Sequence, residues 1–224
     1  MGYGMIFLYE CEILALKEAY ADRIPVYLGM ELDYYSAIPT IPLDYTIASV
    51  HYIVENGKTY AIDHAASREN PGLFQRECAD EAFGGSLIGF AERYFSMLAE
   101  HVHRVKPTLV GHFDVITKFS IMPEEDPRYL ALATDALSAV ARDCPFIEVN
   151  TGAISRGYRT VPYPIPPLLR HMKAIGAHPV LSADSHKNEN LTFHFDQTVD
   201  MLRAIGFRSL AVFNGNGYDE HSIL

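Results

Sequence analysis

Five short segments of this chain end in side chains able to hold a metal ion or orient a ligand. Glu31 follows Tyr27-Leu-Gly-Met, and His51 follows Ile47-Ala-Ser-Val. His112 and Asp114 follow Thr108-Leu-Val-Gly. Glu148 and Asn150 close the run that starts at Phe146, and Asp184 and His186 close the run that starts at Pro179. Imidazole with carboxylate and no thiolate is the donor mix of zinc, iron or manganese hydrolases. A carboxylate such as Glu31 can bridge two cations, with imidazoles at the sides. Two close cations activate water and neutralise charge on a phosphoryl group. Each residue alone has a blander reading: a lone strand-end histidine is more often packed or solvated than a ligand, and Asp184 could satisfy turn backbone. Five such ends in one chain point to a shared pocket.

The elements that must position them read as alternating strands and helices. Expected strands are 25–30, 45–52, 108–111, 146–149, 179–183 and 209–213. Between them lie amphipathic stripes: 10–20, 87–102, 126–140 with Asp126 and Pro127 as a helix start, 165–175 stopped by Gly176, and 195–205 stopped by Gly206. The stretch 54–72 reads as a long polar loop of the kind that carries function. Uniformly apolar strands joined by helices imply an α/β fold with a covered parallel sheet, either doubly wound or a barrel. In a barrel every strand ends at the same rim, which would gather residues scattered from 31 to 186 around one cavity.

Composition narrows the partners. The 224 residues carry a formal charge of −10, which disfavours nucleic acid or an anionic membrane as the ligand. An acidic chain can still take an anionic substrate if its site holds localised cations. The 49% hydrophobic fraction suits a chain that buries a real core, and no apolar run approaches a membrane span. Cys11, Cys78 and Cys144 suggest neither a disulfide framework nor a zinc-thiolate site, so free thiols in a reducing cytosol are expected.

The segments GMELDY (29–34), SVHY (49–52), GHFD (111–114), EVNTGAISRG (148–157) and SADSH (182–186) resemble the histidinol-phosphate phosphatases of the polymerase-and-histidinol-phosphatase (PHP) superfamily. The resemblance runs from about residue 8 to 213, and YPIPPLLRHMKAIGAHPVLSADSH favours the histidinol phosphatase branch. It implies a distorted (β/α)7 TIM-like barrel with two or three divalent ions (Zn, Mn or Fe) at the rim. Glu31 would bridge, His51 and His112 would serve a second metal, Asp184 the first and His186 a third. Glu31 and Asp184 would be catalytic. The substrate would be L-histidinol phosphate, hydrolysed by metal-activated water, with Arg156 as first and Arg159 as second choice for gripping the phosphate.

One departure stands out. The family opens with strands ending in His-x-His and Thr-Asp-His motifs, and no histidine precedes Glu31 here. The first two strand–helix units are therefore expected to be missing from a single barrel domain spanning 1–224. An uncovered sheet edge and apolar helix faces should follow, with self-association or low thermal stability. His101-Val-His103 lies at a helix end and is expected to be solvated, since residues two apart on a helix diverge. His64 is a better outside candidate, as a structural or substrate-side residue; His171, His178, His194 and His221 look incidental. Another phosphate ester as substrate, or a metal-binding remnant with impaired catalysis, are the alternatives.

Overall fold

The computed structural model describes residues 3–224, with side chains from Leu8 onward. Its strands are β1 (Gly29–Asp33), β2 (Tyr45–Ser49), β3 (Tyr52–Glu55), β4 (Lys58–Ala61), β5 (Leu109–Val110), β6 (Phe146–Asn150), β7 (His178–Ser182), β8 (Ser209–Phe213) and β9 (Tyr218–Ser222). Its helices are α1 (Tyr3–Ala19), α2 (Leu73–Phe83), α3 (Leu87–Val105), α4 (Pro127–Asp143), α5 (Gly152–Ser155), α6 (Pro166–Ala174) and α7 (Phe195–Ile205).

Five strands form one sheet in the order β1-β2-β5-β6-β7, and every pairing is parallel. All five carboxyl ends therefore lie along one rim, as in a TIM-like α/β barrel. Among the described residues the sheet stays open, with β1 and β7 at its edges. The helices that cover it start where the sequence caps them. The Ser86 hydroxyl accepts from the Gly89 amide at α3, and the Asp126 carboxylate accepts from the Arg128 amide at α4, where Pro127 needs no partner. These two helices supply much of the core through Phe90, Tyr94, Phe95, Leu98, Leu137 and Val140, all buried. Truncating Leu98 or Leu137 to Ala would cost about 2–5 kcal/mol.

Three expectations need correction. The first strand begins at Gly29 rather than near Pro25, so Glu31 sits inside β1, not after it. Residues 52–61 form the antiparallel hairpin β3–β4, where the sequence reading has a loop. Asn56 and Gly57 both have positive φ, 52° and 77°, as a type I′ turn requires. Finally, 209–213 is a strand but leaves the parallel sheet: β8 turns at Asn214–Gly217 and pairs antiparallel with β9. This hairpin crosses the floor of the sheet. Phe213 packs edge-on to Tyr27, Tyr218 stacks on Phe146 with centroids 3.9 Å apart, and the Tyr218 hydroxyl donates to the Thr108 carbonyl. At the other extreme, Leu8, Leu14 and Leu16 of α1 are exposed, with Ile24 beyond them, and one side of β1 has no strand partner.

Candidate metal centre and substrate cavity

The rim gathers Glu31 from β1, His51 just past β2 and His112 just past β5. Register explains the meeting: Glu31 is paired with Ile47, and Ile47 with Leu109, so the three strands reach the rim together. Gly111 allows the close approach, because a Cβ there would lie 2.6 Å from the Ser49 hydroxyl oxygen. Glu31 Oε1 is 3.3 Å from His51 Nε2 and 3.1 Å from His112 Nε2, and the two imidazole nitrogens are 3.2 Å apart. Bonds of about 2.0–2.1 Å to a tetrahedral zinc place neighbouring ligand atoms about 3.3–3.4 Å apart. The triangle matches one face of such a site. Among the described residues, this is the one group of three His, Cys, Asp or Glu side chains whose ligand atoms converge in this way.

Carboxylates behind the triangle set its orientation. Asp33 Oδ2 accepts from the His51 backbone amide at 2.7 Å and lies 3.3 Å from His51 Nδ1. A proton held on Nδ1 leaves the Nε2 lone pair facing Glu31 and His112. Glu148 is buried, and its Oε2 accepts from the His112 amide at 2.6 Å and from Asn150. Asp114, also buried, accepts from the Ile165 amide, and burial pushes its carboxyl up to about 7. Glu148, Asn150 and Asp114 thus hold backbone around the site rather than facing its centre.

The charges inside the triangle are strongly coupled. Burial alone would raise the Glu31 carboxyl, but hydrogen bonds from His112 and His51 outweigh it and hold it far below the usual carboxylate range. Burial would lower His51, yet Asp33 and Glu31 push it up to about 10. His112 moves up as well, against burial, through Glu31. A divalent cation would replace the protons that now compensate this anionic pocket.

Asp184, His186 and Arg156 line the far wall of the same cavity, whose volume is about 230 Å³. They are not joined to the triangle. Arg156 Nη2 donates to Asp184 Oδ2 at 2.9 Å, Nη1 donates to the Asp184 carbonyl, and His186 Nδ1 lies 3.4 Å from Nη1. Asp184 has a φ of 44°, a left-handed conformation uncommon outside glycine and often retained at functional sites. Gly152 leaves room for the guanidinium, since a Cβ there would sit 2.7 Å from Arg156 Nη2.

Arg159 stands apart from the cavity. Its side chain is buried, pairs with both Glu124 oxygens and donates to the Thr117 carbonyl at 2.8 Å. His101 also departs from expectation: it is fully buried and its Nε2 donates to the Leu32 carbonyl at 2.7 Å, because the helical period puts it on the core face beside Leu98. His103 is exposed beside Asp143. His64 stacks on Phe74 and does not line the cavity. Asp63, Lys118 and Tyr163 do line it, and the sequence reading passes over all three. Of the three, Lys118 carried a signal: a lysine following the apolar run 115–117, close behind His112.

No family model matches the chain. Two curated proteins, each named "Probable histidinol-phosphatase", are similar to it. The one from Schizosaccharomyces pombe is 27% identical over 93% of this chain and 70% of its own length. The one from Deinococcus radiodurans is 27% identical over 90% of this chain and 73% of its own. Among solved structures, the histidinol phosphate phosphatase of Lactococcus lactis, complexed with zinc, L-histidinol and phosphate, matches with a TM-score of 0.60. That match covers 96% of this chain and 79% of the other at 21% identity, and it shows the shared fold.

Proposed function

We propose that this chain is a histidinol-phosphatase of the PHP type, a metal-dependent phosphomonoesterase that converts L-histidinol phosphate and water into L-histidinol and phosphate. The observation that carries the reading is the Glu31–His51–His112 triangle with edges of 3.1–3.3 Å at the rim of a parallel sheet. These three residues would hold a divalent ion, zinc, manganese or iron. Such an ion supplies a Lewis acid for the phosphoryl oxygens and lowers the pKa of water.

The chain's own groups do the rest. Asp33 keeps the His51 ring in register, and Glu148 does the same for the backbone of His112. Arg156 is the phosphate grip: its planar fork, now on Asp184, matches two phosphate oxygens. Moving Arg156 onto substrate would free Asp184, with His186 beside it, for one or two further ions. The setting is histidine biosynthesis in a reducing cytosol, with a small phosphate ester as the partner.

Phosphate release from L-histidinol phosphate, p-nitrophenyl phosphate and a phosphate bis-ester, by chain loaded with zinc, manganese or iron, tests this. The expected order places L-histidinol phosphate first. Preference for the bis-ester would overturn the substrate, and turnover insensitive to Glu31→Gln would overturn the site.

A further inference from the structure

The chain between β7 and α7 is held by its own hydrogen bonds more than by the rest of the fold. From His186 to Phe193 every residue except Asn190 is exposed, including Leu191 at 63% and Phe193 at 42%. Two large apolar side chains thus stand in water on an otherwise polar segment. The Ser185 hydroxyl and the Asn190 amide both donate to the Lys187 carbonyl, and the Phe193 amide donates to the Asn190 carbonyl. At the junction with α7 the Phe195 amide donates to the Thr192 carbonyl. Among the described residues, the one polar tie to any element outside β7 and α7 is Arg156. It donates to the Asp184 carbonyl at 3.1 Å and to the Asp184 carboxylate at 2.9 Å, and lies 3.4 Å from His186 Nδ1. Both ends of the segment are left-handed, with φ of 44° at Asp184 and 63° at His194, a conformation that side chains rarely adopt. A second cavity, of about 390 Å³, lies against it, with Ser155 and Tyr158 on one side and Lys187 and Asn190 on the other. Arg156 and His186 line this cavity and the one at the metal centre alike.

Resting on the phosphatase reading for its trigger, we propose that residues 185–193 form a lid that Arg156 latches open. A phosphate that draws the guanidinium off Asp184 removes the tie. The segment then turns about its two left-handed ends, as hinges do, into the second cavity. Leu191 and Phe193 exchange water for the wall at Tyr158, which favours the closed form once the latch is gone. Closure shuts the occupied site from bulk water, and it is coupled to the phosphate because only the phosphate competes with Asp184 for Arg156.

Trypsin cleavage after Lys187, read by mass spectrometry on zinc-loaded full chain, follows the lid without relying on turnover. Inorganic phosphate should slow this cut about tenfold, because cleavage tracks the open population. The cut after Arg68, exposed and outside both cavities, should not change. Arg156→Ala lacks the latch and should be cut slowly with or without phosphate. Phe193→Ser, far from the metal centre in chemistry, should be cut fast under both conditions while still binding phosphate in the calorimeter. Equal slowing after Lys187 and Arg68 would mark general stabilisation by the ligand and overturn the lid. Faster cutting of Arg156→Ala than of wild-type chain would make the arginine a brace and overturn the latch. Phosphate that binds in the calorimeter without slowing the Lys187 cut would overturn the lid and leave the phosphatase reading standing. Phosphate that does not bind would overturn the lid too, and the phosphatase reading would then stand or fall on Glu31-dependent turnover.

Discussion

The two walls of the cavity hold their charges in different ways. On the wall built from β1, β2 and β5, three ligand atoms converge within 3.3 Å of one another, with Asp33 behind the His51 ring, the Ser49 hydroxyl donating to Glu31 and Glu148 holding the His112 backbone amide. On the wall built from β6 and β7, Asp184 is already neutralised by Arg156 at 2.9 Å. The first wall is shaped for a cation as it stands. The second must exchange one ion pair for others before it can do the same. A site built this way should load in order, the triangle first.

The largest expected effect breaks the first wall. Glu31→Gln should lower zinc affinity and phosphate release by more than about a hundredfold, since even changes behind the ligands cost 10–100-fold. Zinc per chain by mass spectrometry and phosphate release would check it; Arg156→Ala should leave zinc at the triangle intact. Next comes Asp33→Asn, which loosens the His51 ring without removing a ligand, with an expected loss of about 10–100-fold in zinc affinity. Arg156→Ala attacks the second wall and should raise KM for the phosphate ester about tenfold, as expected for losing one charge-assisted pair. If it lowered zinc affinity as much as Asp33→Asn, the division between walls would be wrong.

The smallest effect is a pH dependence of stability in metal-free chain. His51 is raised from 6.5 to about 10, so its contribution is fully present below pH 6.5 and is lost as pH rises towards 10. Thermal unfolding followed by circular dichroism should drop by a few degrees across that window, at about 2–4 °C per kcal/mol for a chain of this size. Zinc should abolish the drop, because the bound ring no longer carries the second proton.

The first wall was legible in the sequence and the second only partly. Parallel strands share a polarity, so a polar residue at the end of an apolar run can be assigned to the rim without knowing the loops; that logic reaches Glu31, His51 and His112. Whether Asp184 meets them depends on a loop conformation with φ of 44°, which no periodicity encodes. Asp63 and Lys118 lie on loops for the same reason. The hairpins are a different case. Asn56-Gly57 between alternating residues, and Asn214-Gly-Asn-Gly before Tyr218, are turn signals that a purely helix–strand reading ignores. Residues 209–213 have the composition of a sheet strand, and what moves them to the floor is the aromatic cluster of Tyr27, Tyr45, Phe146 and Tyr218.

Arg159, set aside from the cavity, has a consequence there all the same. It joins the loop that carries Arg156 to the Thr117 carbonyl, one residue from Lys118, and to Glu124 further along. The two cations that line the cavity, Arg156 and Lys118, are thereby braced against each other through one buried guanidinium. The loops that carry them are fixed relative to each other when the chain folds, so a ligand meets preorganised backbone and has only the Arg156 side chain, held on Asp184, to draw over.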